Sequence, residues 1–147
     1  MKQKCIVLDV DGVCLDTEFI LREIHEKGLK GDDKWNYFYA NCNSDRVNVM
    51  PRVLPFIRGF SERVVTVILT ARNEKSRFQT AKKLWHYKIG FEEMYMRNFN
   101  DYREAKEVKK DHLLKILDNY EVVCFVDDDL GNCEMARDLG ILALRKV

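Results

Sequence analysis

The feature that most restricts this chain is the alternation of short β-rich apolar runs with longer amphipathic stretches. Five runs qualify as strands: Lys4–Val10, Val64–Thr70, Met94–Arg97, Val122–Asp127 and Ile141–Arg145. They are rich in Val, Ile and Leu and mostly bounded by Asp, Gly or Asn, the pattern of buried parallel strands. Between them, Asn73–Lys88 reads as a helix with Phe78, Ala81 and Leu84 or Trp85 on one face and Gly90 as its stop signal. Glu104–Tyr120, carrying Val108, Leu113, Ile116, Leu117 and Tyr120, and the short Leu130–Leu139 before Gly140 are the other two crossover helices. Strand–helix alternation of this kind predicts right-handed crossovers, hence a Rossmann-like α/β fold: a five-stranded parallel sheet with helices on both faces.

The interval from Asp9 to Thr70 is too long for one crossover. It holds the helix candidate Pro51–Phe60 and a surplus, Thr17–Val47, which reads as a small helical insertion projecting over one edge of the sheet. Its aromatic run, Trp35-Asn36-Tyr37-Phe38-Tyr39, suits either the core of that insertion or a surface on which a base stacks. With 147 residues and no linker, repeat or low-complexity tract, the chain reads as a single domain, 1–147. Hydrophobic residues at 46% and charged ones at 33% supply a core and a hydrated surface, which argues against a disordered segment. No apolar run approaches the length of a membrane span, and no signal-peptide pattern opens the sequence, so a cytoplasmic protein without a membrane partner is expected. A net charge of +1 gives no general field for a long nucleic-acid backbone, though a local basic patch remains compatible with it. Five cysteines without a C-x-x-C pair argue against structural zinc and a disulfide framework, and His25, His86 and His112 show no ligand spacing.

Three strand ends carry chemistry. Asp9-Val10-Asp11-Gly12 ends the first, Thr70-Ala71-Arg72 the second and Asp127-Asp128-Asp129 the fourth. Ligands of open α/β sheets bind outside the carboxyl ends of the strands, so a hydroxyl, a guanidinium and paired carboxylates are expected at one edge. Asp9 and Asp11, two apart in an extended chain, should face the same ligand, with Gly12 permitting a turn or a close approach. The set suits Mg2+, which takes few protein ligands and leaves positions for phosphate and water. An aspartate beside such an ion can attack phosphorus, and a carboxyl two residues on can protonate the leaving oxygen and then activate water. An EF-hand is excluded because its glycine stands sixth, and a P-loop because Gly-x4-Gly-Lys-[Ser/Thr] is absent.

Together, Asp9-Val10-Asp11-Gly12, Leu69-Thr70-Ala71-Arg72, a later helical lysine and Asp127-Asp128 resemble the haloacid dehalogenase (HAD) phosphohydrolase superfamily. The resemblance implies a Mg2+-dependent phosphomonoester hydrolase with Asp9 as nucleophile and Asp11 as general acid/base. Thr70, Arg72 and Lys109 would hold the phosphoryl group, and Asp9, Asp11, Asp128 and Asp127 would hold the metal, the choice between the last two as direct ligand being open. The stretch Met94-Tyr95-Met96-Arg97, Asp101-Tyr102-Arg103, Val108-Lys109-Lys110-Asp111 is similar to the 3′-phosphatase domain of phage-type polynucleotide kinase-phosphatases. Its spacing selects Lys109 over Lys106 and Lys110, and makes Arg97 and Arg103 candidate nucleic-acid contacts. Asp129 stands where that narrower group often carries arginine. The expected partner is a phosphorylated substrate, a polynucleotide 3′ end or, alternatively, a (deoxy)nucleotide 5′-monophosphate or another small phosphorylated molecule. A phospho-receiver domain shares the sheet, the acidic pair, the threonine and the lysine, but orders them differently along the chain.

Overall fold

A computed structural model describes residues 1–147. The elements run β1 (Gln3–Leu8), β2 (Leu15–Asp16), α1 (Glu18–Glu26), α2 (Gly31–Asn41), β3 (Asn48–Val49), α3 (Val53–Arg58), β4 (Val65–Asn73) and α4 (Arg77–His86). They continue with β5 (Glu93–Arg97), α5 (Ala105–Asn119), β6 (Tyr120–Asp127), α6 (Leu130–Asp138) and β7 (Ala143–Arg145). The five principal strands form one sheet in the order β5-β4-β1-β6-β7, and every pairing in it is parallel. The chain winds outward from β1 through β4 to β5, then returns to β6 on the other side of β1. The reversal opens a crevice beside the carboxyl end of β1, where side chains from adjacent strand ends can meet.

Strict alternation along the central strands divides the interior into two apolar layers. Ile6 and Leu8 of β1, Ile68 of β4 and Cys124 and Val126 of β6 face Ala81 and Leu84 of α4. Cys5 and Val7, Val67 and Leu69, and Phe125 face Leu113 and Ile116 of α5 and Met135 and Ala136 of α6. Period-two side-chain direction makes this division, and both faces are covered as a parallel sheet requires.

The segment 17–47 joins the first layer instead of standing off the sheet edge. Ile20 and Ile24 of α1, Phe38 of α2, Cys42 and Val47 lie in the same cluster as Leu8, Ile68 and Met96. The two-residue antiparallel pair Leu15↔Val49 and Asp16↔Asn48 ties its ends together. Phe38 is buried, Tyr37 donates through its hydroxyl to Glu23 at 2.9 Å, and Tyr39 accepts from Asn73 N at 2.8 Å; only Trp35 of the apolar run stands half exposed. The run is therefore mainly interior packing.

Helix α4 corrects one expectation. Its buried residues are Thr80, Ala81 and Leu84, while Phe78 and Trp85 point outward. Four-residue spacing does join Ala81 to Trp85, but the face that meets the sheet is centred between Thr80, Ala81 and Leu84. No helix is long and apolar enough to cross a membrane.

Candidate active site

Register brings the expected groups to one edge. Leu8 pairs with Ile68 of β4 and Val126 of β6, so Asp9, Thr70 and Asp127 emerge side by side at the carboxyl end of the sheet. Asp9 is buried; its backbone N–H donates to Val126 O at 3.0 Å, and its Oδ1 accepts from Val10 N at 2.8 Å. Thr70 is fully buried, and its hydroxyl oxygen accepts from Arg72 N at 3.1 Å.

Lys109 enters from α5. Its ammonium lies 3.0 Å from Asp9 Oδ1 and 2.7 Å from Asp127 Oδ2, and the side chain is almost wholly enclosed. Burial alone would pull its pKa down, but the two carboxylates outweigh that and hold it above the ordinary lysine value. Of the three lysines in this segment only Lys109 is buried, with Val108, Leu113 and Ile116, whereas Lys106 and Lys110 are exposed.

Asp127 has no exposed surface. Asn132 Nδ2 donates to its Oδ2 at 3.1 Å and Asp129 N to its Oδ1 at 2.9 Å. Asp129 caps α6, accepting from Asn132 N at 2.8 Å, so the acid in this position fixes the turn that presents Asn132. Neither Asn132 nor this cap was legible as part of the site; the only trace is a polar residue on the buried side of a short helix.

Asp9, Asp127 and Asp128 can each offer a ligand atom, all within 4.8 Å of one another. Burial, then Asp127, pushes the Asp128 carboxyl up to about 6. Burial likewise drives Asp9 well above the usual carboxylate range, against the pull of Lys109. Three carboxylates facing one ammonium leave two negative charges, the complement of a divalent cation, and their hard oxygens fit Mg2+. Asp128 is the solvent-facing member, while Asp127 is committed to Lys109, Asn132 and Asp129.

Asp11 is not in that cluster. The chain leaves the extended conformation after Leu8 and turns at Gly12, whose φ is +82°. Asp11 therefore meets Arg72 of β4 and Thr17, while staying close enough for its charge to raise the Asp9 carboxyl. Arg72 grips it with a fork, Nε to Oδ2 at 3.0 Å and Nη2 to Oδ1 at 2.7 Å, and Thr17 donates to Oδ1 at 3.0 Å. Both Asp11 carboxyl oxygens are thus engaged by protein donors in this arrangement.

Arg72 is also redirected. Beyond Asp11, its Nη1 donates to Asn43 Oδ1 at 2.7 Å and Thr80 Oγ1 at 3.2 Å, and its Nη2 to Cys42 O at 3.2 Å. All five N–H groups of the guanidinium are thus spent on protein acceptors, leaving none for a substrate phosphate in this arrangement. Burial opposes its charge, but the Asp11 carboxylate holds its pKa above the ordinary value. Arg97 and Arg103 are occupied too. Arg97 donates to Ala71 O, Asp101 O and Arg103 O, and Arg103 pairs with Asp101 and Asp111.

Comparison with known proteins supplies the relatives. The family model described as the polynucleotide kinase PNKP phosphatase domain matches residues 3–145. No curated protein matches the sequence. Among solved structures, a chain from "Structure of the Pnkp1/Rnl/Hen1 RNA repair complex" aligns with a TM-score of 0.77 and 22% identity, over 98% of this chain and 42% of that one. A haloacid dehalogenase-like hydrolase from Streptococcus pneumoniae aligns with a TM-score of 0.68 and 15% identity, over 97% and 83% of the two chains. The class C acid phosphatase from Bacillus anthracis with tungstate bound gives 0.66 and 17%, over 100% and 69%. At these identities the structural likeness shows a shared fold, and the chain spans less than half the length of the two RNA repair structures.

Proposed function

The chain belongs to the polynucleotide kinase PNKP phosphatase domain family and is a HAD-type phosphatase, and from that premise we propose that it removes phosphate from polynucleotide 3′ ends through an aspartyl-phosphate on Asp9, with Mg2+ as cofactor. The observation that carries the reaction is Lys109, an ammonium sealed between Asp9 and Asp127 where three strand ends meet. It holds Asp9 Oδ1, as does Val10 N–H, and so leaves Oδ2 to attack phosphorus. As the new P–O bond forms, the bond from phosphorus to the 3′ oxygen breaks, and Asp11 delivers a proton to that oxygen. Asp11 then takes a proton from water, whose oxygen attacks the phosphorus of the aspartyl-phosphate; inorganic phosphate leaves and the Asp9 carboxylate is restored.

Asp9 and Asp128 would hold Mg2+, with the Asp127 carboxylate adding negative charge beside them; when bound, the ion neutralises charge on the transferring group and aligns it. Of the pair left open by the sequence, Asp128 is the direct ligand in this reading, because Asp127 already orients Lys109. Thr70 offers its hydroxyl proton to a phosphoryl oxygen, since its oxygen already accepts from Arg72 N. Arg72 serves as a positioning residue, fixing the Asp11 carboxyl through two parallel hydrogen bonds. The polynucleotide substrate rests on the family match and on the Met94–Asp111 pattern.

The test is phosphate release from a 3′-phosphorylated oligonucleotide, compared with 5′-mononucleotides, at low salt with and without Mg2+. The oligonucleotide should be preferred, activity should vanish with chelator, and Asp9→Asn should reduce turnover by orders of magnitude. The reverse substrate ranking would move the assignment to a nucleotidase. Wild-type turnover by folded Asp9→Asn would remove the covalent mechanism.

A further inference from the structure

The loop between β5 and α5 presents two aromatic rings to solvent. Phe99 is 53% exposed and Tyr102 87%. Neither stacks on another ring, and the Tyr102 hydroxyl makes no hydrogen bond within the chain. The backbone beneath them, by contrast, is heavily tied down. Asn73 Nδ2 donates to Asn98 O at 3.4 Å and to Phe99 O at 3.3 Å. Arg97 reaches Ala71 O, Asp101 O and Arg103 O, while Arg103 clasps Asp101 through Nε and Nη2 and Asp111 through Nη1. Two arginines are thus consumed in rigidifying a loop whose aromatic side chains contribute little to the core.

The loop's position connects it to the reaction. Asn73, which grips its start, lies three residues beyond Thr70 on β4, about 10 Å along extended chain. Its other end leads into α5, which carries Lys109 into the site. On the far side of Asn73, whose Oδ1 accepts from Lys75 N at 3.0 Å, Lys75 is exposed and pairs with no carboxylate.

We propose that Phe99 and Tyr102 form a stacking platform for the last one or two nucleobases of a single strand whose terminal phosphate lies at Asp9, with Lys75 beside the strand's backbone. The proposal rests on the polynucleotide reading given above and assigns the strand-holding role to rings, not to Arg97 and Arg103. Unpaired bases stack on aromatic faces irrespective of sequence, each ring being worth roughly a factor of ten in binding. A protein partner fits less well, because Asn98, Asn100, Asp101, Arg103 and Glu104 interrupt the rings and leave no continuous apolar patch.

The experiment compares kcat/KM for two 3′-phosphorylated hexanucleotides, one intact and one abasic at its last two nucleotides, in both deoxy and ribo form. The wild-type chain should prefer the intact strand by about ten-fold or more. The double variant Phe99→Ala/Tyr102→Ala should bring that ratio to about one, while Phe99→Tyr/Tyr102→Phe should retain it. Because the ratio is internal to each protein, a general loss of folded enzyme cancels. An undiminished ratio in the double alanine variant, or a wild-type ratio near one with strand hydrolysis intact, overturns the platform and leaves the substrate assignment standing. A wild-type chain that cleaves a small aryl phosphate but no oligonucleotide overturns both.

Discussion

Gly12→Ala offers a quantitative test of how the Asp9–Gly12 turn supports the proposed metal site. Gly12 has a φ of +82°, where an L side chain costs about 1–2 kcal/mol. On that ground alone the melting temperature should fall by about 3–8 °C. A second cost is local: an added Cβ would collide with Asp128 Oδ2 and lie 2.7 Å from Asp128 Cγ. The carboxylate must therefore leave its present position, because the alanine cannot move without undoing the bond from Gly12 N to Leu15 O at 2.9 Å. Displacing a ligand without deleting it should weaken Mg2+ by about 10–100-fold, the scale seen when a metal site loses its support. Gly140→Ala is the matched control, having a φ of +83° and nothing within 4 Å of an added Cβ. Both variants should melt early in thermal scans; only Gly12→Ala should need more Mg2+ for half-maximal activity. Equal Mg2+ requirements in the two variants would refute the argument that Asp128 is held in place by the bare glycine.

Asp11→Asn should slow hydrolysis of a 3′-phosphorylated sugar by about 10²–10⁴-fold but an activated aryl phosphate much less, and equal losses would contradict its role as acid. Arg72→Lys cannot reproduce the fork or satisfy Asn43, Thr80 and Cys42 together, so urea unfolding should show a loss of about 2–4 kcal/mol, reduced from the fully buried case because Asp11 is partly hydrated; a loss below about 1 kcal/mol would mean the fork is dispensable. In chelator, Asp128 binds its proton more tightly folded than unfolded, since its pKa is raised to about 6. Stability from this group therefore falls as pH rises from about 4 through 6. His112, held below its usual pKa chiefly by burial, acts in the opposite sense over an overlapping range, so the comparison must be with Asp128→Asn. That variant should exceed wild type by about 1 kcal/mol at pH 8 after allowance for screening, and by little at pH 4; the same difference at both pH values would remove the titration.

The strands were legible because each is a short apolar run stopped by a polar group, and burial on both faces permits little else. Their ends were less so: β4 continues to Asn73, beyond the expected stop at Thr70, because Asn73 pairs with Arg97 across the ladder. The juxtaposition of Asp9 and Lys109 agrees with the motif at the end of the first strand and with the Asp101–Lys109 spacing. That Asp11 and Arg72 pair with each other was not legible, since spacing along a chain reports which side a residue leaves and not which partner it finds. Phe78 and Trp85 were misplaced for a related reason. Apolar spacing marks a stripe, while the face that touches the sheet is chosen by small and polar residues such as Thr80 and Ala81 that fit against it. Asn43 and Thr17 gave no signal, because an isolated polar residue in an insertion resembles any hydrated one.

The insertion's position carries a kinetic consequence. Its apolar residues belong to the layer beneath the sheet, and Thr17, Cys42 and Asn43 are fastened to the Asp11–Arg72 pair, the proposed proton donor and its positioning residue. A segment so fastened cannot swing on a hinge without unpacking half the interior and releasing Asp11. Under the proposed function, opening and closing of this segment would not pace the catalytic cycle and the substrate would meet a standing doorway; amide exchange in α1 and α2 should be as slow as in the central strands.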